Sequence, residues 1–460
     1  MGCLSYLCSR FKMLKTEIMK NNNIFLSTLL LACLSTGSVY AQEKGSDDFE
    51  IFRIGGYGEV TANFKDYGLN RYYGGLEGTP KQNHNTISIP RFVLAGDYKF
   101  NSKWQLSFEV EFESGGTGAA YELETGQGSE NLEYESEFEK GGEVALEQFH
   151  ITRFILPALN VRAGHLIIPV GLTNAHHEPI NFFGTSRPEG ETTLLPCTWH
   201  ETGLEVFGRF GRGYAQFDYE AMVVAGLNPN GFNSYNWVKG GKQGLFEEDN
   251  FTRPAYVARL NYTGVPGLRF GASAYYNGNA GKNADRLTSY DAYDPINVFI
   301  WSVDAQYVNR YVTARANYLR GNVTEPNAIQ TVNRIYSNKS PYSRKGPIAK
   351  EVVTYSAEVG VNLKSIFSGV KNFPTVYPFV HYNYYNPQEK GEGLAVMDDR
   401  CQVSMWRMGL NWRPLPNLVV KADYTTRQIG TKKLFGTSSM YNSENEFAIG
   451  VAYVGWFFKK

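Results

Sequence analysis

KWQLSFEVEFE, residues 103–113, alternates almost without a break. Trp104, Leu106, Phe108, Val110 and Phe112 fall on one parity, and Gln105, Ser107, Glu109, Glu111 and Glu113 on the other. Successive side chains of an extended strand point to opposite faces, so the stretch reads as a β-strand. The pattern does not say which medium lies on the apolar side. A soluble sandwich buries that face against a second sheet, whereas a membrane barrel turns it to lipid and keeps the polar face inside.

The rest of the chain decides. Alternation bounded by turn residues recurs in sixteen segments, at 51–64, 86–100, 103–113, 144–154, 160–169, 199–210, 214–226, 254–262, 267–278, 298–308, 311–320, 352–363, 374–385, 401–413, 417–428 and 445–458. Most reach the ~9–11 residues that a tilted strand needs to cross a bilayer. An even count returns both chain ends to one side of the membrane. Short connections at 101–102, 155–159, 211–213, 263–266, 309–310 and 414–416, with a longer one at 364–373, alternate with long loops. The long ones are 65–85, 114–143, 170–198, 227–253, 279–297, 321–351, 386–400 and 429–444. A sandwich has no reason to gather every long loop at one end, but a barrel with short periplasmic turns and long external loops does.

Charge placement supports the same reading. In strands 1–3 and 6–16 ionisable residues avoid the aromatic parity, as Asp218 and Glu220 do against Phe217 and Tyr219, apart from strand ends such as Arg320. An Arg or Lys at the lipid midplane costs roughly 2–4 kcal/mol, so lipid enforces this segregation. The fourth and fifth strands blur, with Glu147, His150, Arg153, Arg162 and His165 on both parities. They lead into loop 170–198, where irregularity is expected if that loop folds inward. The expected fold is therefore all-β: a 16-stranded antiparallel transmembrane β-barrel with short periplasmic turns, long external loops and an inward-folded third loop.

Composition agrees. The 460 residues include 31 Tyr, 29 Phe and 47 Gly, and 45 basic residues balance 45 acidic ones. Zero net charge gives no global field to attract nucleic acid. No run of 18 apolar residues exists for a membrane helix, and half-polar barrel strands do not register as hydropathic. Residues 1–41 read as a signal peptide: Lys15 and Lys20 precede the apolar run 24–34, and Val39-Tyr40-Ala41 is a small-residue cleavage site. Met19 is an alternative start, and Leu30-Leu31-Ala32-Cys33 an alternative lipoprotein box. Residues 42–460 then form the barrel, in which Cys197 and Cys401 are expected to be unpaired thiols.

At VRAGHLIIPVGLTNAHHEPINFF (161–183), WHETGLEVFGRF (199–210), YAQFDYEAMVVAGLNPNGF (214–232) and RIGGYGEVTANF (53–64), the sequence resembles bacterial porins of the phosphate-selective porin O/P family, in their Bacteroidetes-like forms. The resemblance spans roughly the whole mature chain. It implies a channel in the Gram-negative outer membrane, commonly a homotrimer, with outer-membrane lipid and small ions or solutes as its partners. It also implies that the third external loop narrows the lumen, here with His176, His177, Glu178 and Arg187. Anion selectivity in that family comes from arginine ladders and a lysine, and this sequence departs from it. In the clear strands eleven inward basic positions meet twelve acidic ones.

Their distribution is uneven: strands 1–7 hold four basic and nine acidic residues, and strands 8–16 seven and three. The expectation is a transverse field, since walls of charge tune conduction. Its acidic wall comprises Glu109, Glu111, Glu113, Glu205, Asp218 and Glu220. Its basic arc comprises Arg259, Arg269, Arg315, Arg407, Lys421 and Arg427. The competing reading is that these charges pair and merely keep the lumen wet.

Other motifs carry less. His165, His176, His177 and His200 lie in or beside loop 170–198 near Glu178 and Glu201, but their spacing matches no standard metal site, so no metal is assigned. Gly55, Gly56 and Gly58 lack the third glycine and the helix of a phosphate-binding loop. The acidic run Glu130–Glu139 reads as a solvated loop face. No catalytic motif such as G-x-S-x-G or H-E-x-x-H occurs, and no cofactor is implied. The reading is a passive diffusion channel for small hydrophilic solutes or ions, anions such as phosphate among them. A surface-binding or adhesion barrel and an outer-membrane hydrolase are the competing classes.

Overall fold

The computed structural model describes residues 50–68, 71–72, 83–114, 144–243, 248–284, 290–336, 347–393, 395–431, 433–434, 437–438 and 442–460. The expected leader at 1–41 and the acidic run at 130–139 lie outside the described residues. Sixteen strands close into one antiparallel barrel. They are β1 (Phe52–Asp66), β2 (Asn85–Asn101), β3 (Trp104–Glu113), β4 (Val144–Leu156), β5 (Leu159–Ile167), β6 (His200–Arg212), β7 (Ala215–Val224) and β8 (Ala255–Tyr262). The second half is β9 (Leu268–Asn277), β10 (Val298–Val308), β11 (Val312–Val323), β12 (Glu351–Val361), β13 (Val376–Lys390), β14 (Val403–Leu415), β15 (Leu418–Ile429) and β16 (Ser443–Lys459). Each strand pairs with its chain neighbours, and β16 closes on β1 from Arg53↔Lys459 to Asp66↔Asn445. All sixteen expected strands are present. The largest displacement of an end is at β13, which continues to Lys390 where the sequence pattern stops at 385.

Lipid accounts for the outer face. Ile87, Leu204, Phe210, Tyr256, Phe270, Trp406, Leu410 and Leu415 are exposed on it, as an apolar band flanked by aromatic residues requires. On β3, Trp104 is exposed while Gln105 and Glu111, on the opposite parity, are buried inside. Phe108 lies over Gly96 on β2, its cross-strand partner, where any Cβ would collide with the ring. The Arg320–Glu351 pair, extended by Lys390 at 3.1 Å from Glu351, sits on the outward parity at the external strand ends, beyond the apolar band.

The blurred parity of β4 has a specific cause. Glu109 faces Gln148 but Val110 faces Leu146, so Glu147 is an extra residue in a β-bulge. The bulge turns both Glu147 and Gln148 inward, where they are 0% and 3% exposed. Arg153 remains on the aromatic parity at the strand end, 5.0 Å above the Trp104 ring in a cation–π contact.

Inside, the structure departs from a uniformly wet lumen. At the external ends of β7–β12 the inward positions Met222, Val224, Val257, Tyr275, Val298, Ile300, Leu319 and Val352 are buried and apolar. They form one core with Trp199, Leu227, Phe232 and Trp237 and with Ile329 and Val332 of a loop helix, here termed α2 (Pro326–Tyr336). A shorter helix, α1 (Glu189–Leu194), lies in the third loop. External loops thus fill part of the mouth with an apolar plug. The sequence does signal it: at Glu220–Leu227 apolar residues occupy both parities, as they do wherever both faces of a strand are covered.

Candidate functional site: a loop pinned inside the barrel

The third loop leaves β5 and returns to β6 through a hydrogen-bonded neck. Ile168 N–H donates to Trp199 O at 2.9 Å. Asn174 bridges the two chains from within: its amide donates to Ile168 O (2.7 Å) and Trp199 O (2.9 Å), and its oxygen accepts from Trp199 N–H (2.6 Å). Beyond the neck the backbone turns at Gly171, whose φ of +81° favours glycine. A side chain there would also strike the Glu191 carboxylate.

Glu191, on α1, holds that turn. Its carboxylate accepts from the N–H groups of Leu172 (3.0 Å) and Thr173 (2.7 Å) and from the Asn317 amide on β11. Arg259 on β8 anchors the same turn from the wall. It donates to the carbonyl of Gly171 (3.0 Å) and makes two bonds, of 2.9 and 2.7 Å, to Asp304 on β10.

The loop then crosses to β12–β15, where its carbonyls meet cations. Lys421 donates to Pro179 O (2.5 Å), Phe182 O (2.9 Å) and Gly184 O (2.8 Å), and is 2% exposed. Arg407 donates to Ser186 O (2.8 Å) and Ser186 Oγ (2.7 Å), which requires the missing side chain at Gly184, where a Cβ would overlap the guanidinium. Carboxylates of the wall accept loop N–H groups in turn, Asp423 from Thr185 (2.6 Å) and Glu358 from Phe183 (3.2 Å). Arg427 pairs with Glu189 at the start of α1. Burial alone would raise the Glu189 carboxyl, but Arg427 more than offsets it and holds the group down at about 2.

These contacts change what the expected basic arc does. Arg259, Arg269, Arg407, Lys421 and Arg427 are each less than 10% exposed, and Arg315 is half-buried against Glu358. Rather than facing open water across the lumen, the arc lies beneath the loop and holds it. Pattern reading missed this because carbonyl acceptors on a loop leave no trace in side-chain spacing.

The acidic positions have partners of their own. Glu205 meets Arg162 at 3.2 Å and Asp218 meets Arg209 at 3.3 Å. Glu113 and Glu220 are half-buried. Glu109 accepts from the Gln148 amide at 2.6 Å, and Glu111 is 5% exposed with one oxygen lacking a hydrogen bond.

The four histidines do not form the single group that their positions in the sequence suggest. His165 and His200 contact each other beside Thr202 and Lys242. His176 contacts Arg269, and His177 points to Glu147 at 3.4 Å. Glu178 accepts from Asn181 within the loop. Arg187 ties two parts of the loop together, donating to His177 O and Thr198 Oγ1. Cys197 and Cys401 are both free thiols. Beside the loop a small space, partly open to solvent, is bordered by Leu172, His176, Phe182, Arg315, Glu358 and His381.

Comparison with known proteins bears on the fold. No family model matches the chain. An uncharacterised protein of Aquifex aeolicus is 23% identical over 401 residues, spanning 87% of this chain and 79% of that one. Among solved structures, Salmonella typhi OmpF in complex with daunomycin matches with a TM-score of 0.50 at 12% identity, covering 87% of this chain and 97% of its own. Pseudomonas putida OprB matches with a TM-score of 0.50 at 10% identity, covering 88% and 94%. The chain is an outer-membrane β-barrel of porin-like architecture. Its own lipid-facing band and closed sheet carry that assignment, and the two structures share the fold.

Proposed function

We propose that residues 42–460 form a passive diffusion channel for small hydrophilic solutes and ions, narrowed by the third loop. The observation that carries this reading is the loop itself. It lies inside the barrel, fastened to both walls, with a small, partly solvent-open space of mixed polar and apolar lining beside it. Polar groups kept inside a closed apolar cylinder are otherwise an unfavourable way to fill it. Membership of the phosphate-selective porin O/P family, resting on the stretches at 53–64 and 161–183, is part of the proposal, as is assembly into a homotrimer.

Phosphate is the less favoured permeant. Its recognition calls for guanidinium and ammonium groups turned to the water path, and here Arg259, Arg407, Lys421 and Arg427 are occupied by carboxylates and loop carbonyls. The acids at Glu109 and Glu111 have no Arg or Lys ion-pair partner among the described residues. A weak cation preference is expected from the excess of inward acidic over basic positions on β1–β7. Single-channel recording in asymmetric KCl tests both levels. Discrete conductance steps with a reversal potential on the cation side are expected, with little block by added phosphate. Absence of conductance from folded protein would remove the channel reading, and strong phosphate block would restore the family's selectivity.

A further inference from the structure

One cluster does not serve to pin the loop by ordinary hydrogen bonds. Glu109 on β3, Glu147 on the bulge of β4 and His177 on the third loop bring one ligand atom each to within 4.8 Å of one another. His177 Nε2 stands 3.4 Å from Glu147 Oε1. Neither atom has a hydrogen-bond partner, although the residues are 3% and 0% exposed. Two unsatisfied polar atoms, both buried and aimed into the same small space, are costly unless something joins them.

The remaining contacts orient all three groups toward that space. The Asn174 carbonyl lies 3.0 Å from His177 Nδ1 and accepts a hydrogen bond from the proton of that nitrogen, so in the neutral imidazole the lone pair is on Nε2. That is how an outer partner fixes a metal-ligating imidazole. Tyr57 O–H donates to Glu147 Oε2 at 3.2 Å and Gln148 donates to Glu109 Oε2, so each carboxylate has one oxygen held from behind. The bulge supplies a further sign. In a regular strand Glu147 and Gln148 would lie on opposite faces, and the bulge is what lets both point inward. Bulges re-aim side chains in this way beside functional sites.

We propose that Glu109, Glu147 and His177 bind a divalent transition-metal cation of the zinc type, which ties the third loop to the acidic wall of β3 and β4. Zn–N and Zn–O bonds near 2.0–2.2 Å in a tetrahedron place neighbouring ligand atoms roughly 3.3–3.5 Å apart. The His177–Glu147 separation already has that length, and a small movement of Glu109 completes three positions, with water in the fourth. Imidazole among the ligands favours zinc over calcium or magnesium, which take oxygen. The Glu147 carboxylate would otherwise be buried without an Arg or Lys partner, since Arg91 on the neighbouring strand is bonded to Glu59. The sequence points to no metal because its histidine spacing matches no standard site. Only His177 is needed, and its carboxylate partners lie on strands some 30 and 70 residues away.

The test uses the full barrel extracted from membranes in detergent, stripped with EDTA and checked for folding by its heat-modifiable gel mobility. Titration with Zn²⁺ by calorimetry is expected to show one site per chain, and Co²⁺ in place of Zn²⁺ the visible bands of a tetrahedral site. His177→Ala and Glu147→Gln should each abolish the site. Tyr57→Phe, which removes only an outer hydrogen bond, should weaken it about 10–100-fold. The double variant His165→Asn/His200→Asn should leave it intact. Folded protein that takes up no Zn²⁺, that retains it in the first two variants, or that binds Ca²⁺ in preference overturns the proposal. Should the first two variants not fold, the Co²⁺ spectrum of the unaltered chain and the Tyr57→Phe affinity still decide it. Metal content is read without any conductance measurement, so this inference and the channel reading fail separately.

Discussion

At the scale of single residues, function depends on charges that a count of inward positions treats as equivalent. Arg259 and Asp304 are a buried, doubly hydrogen-bonded pair that also holds Gly171. Removing one partner leaves the other charge buried and alone, at a cost of about 3–5 kcal/mol. Asp304→Asn is therefore expected to lower unfolding stability in detergent by that order, and Arg259→Met/Asp304→Leu to recover a large part of it. Additive losses in the double variant would show that the pair is not coupled. Lys421 differs, since its partners are three carbonyls. Lys421→Met strands acceptors that each contribute about 1.5–3 kcal/mol when bonded to a charge. The third loop should then become cleavable by protease in the folded barrel, and channel current noisier. A loop as resistant as in the unaltered chain would mean that Lys421 is not an anchor. Neither role was legible in the sequence. Both residues were visible as inward cations, but what they hold is a loop backbone that carries no side-chain signature.

At the scale of elements, what the sequence reveals follows from what constrains each segment. Lipid demands strict alternation, so the strands and their ends were readable across the barrel, with β3 the clearest. A bulge breaks period two by one residue, so β4 looked merely irregular, and the burial of Glu147 emerges only from its pairing with β3. The third loop was recognisable as inward-folded from the blurred strands before it, while its path was not. Its pH response follows from α1. Burial raises the Glu191 carboxyl to about 7 against the opposing pull of its N–H donors. A carboxyl with a folded-state value above its unfolded value of about 4.3 binds more protons when folded between the two. Loop stability should thus fall as pH rises from about 4.3 to 7 and level off above that, by up to ~4 kcal/mol from this group. Proteolysis within the loop, measured as a function of pH, should accelerate over that interval in the unaltered barrel. In Glu191→Gln the acceleration should be absent, and an unchanged pH profile in that variant would assign the effect elsewhere.

At the scale of the whole molecule, the wall and the filling separate two properties that porins of open lumen combine. Circumference is set by sixteen strands, but the passable section is set by what the loops leave. On the side of β7–β12 the mouth holds the apolar core around Trp237, whose ring packs against Gly321 and whose indole N–H donates to Ala349 O at 3.3 Å. Burying an aromatic side chain of this size is favourable enough that truncation costs about 3–5 kcal/mol, so this plug is a packed structure rather than a loose cover. We therefore place the path of the proposed channel away from the plug, on the side of β1–β4 and the acids Glu109, Glu111 and Glu113. Conductance should accordingly be small for the strand count, and selectivity should be governed by that acidic side. Replacing residues 228–241 with a short Gly/Ser connection removes Trp237 and Phe232 together while leaving every strand intact. Conductance is expected to rise clearly, because a second path opens, and cation preference to weaken, because ions using it no longer pass the acids. Recording both from the same channels distinguishes the alternatives: an unchanged conductance would place the plug off the conduction path, and a larger one with undiminished selectivity would move the selective step to a point that both paths share.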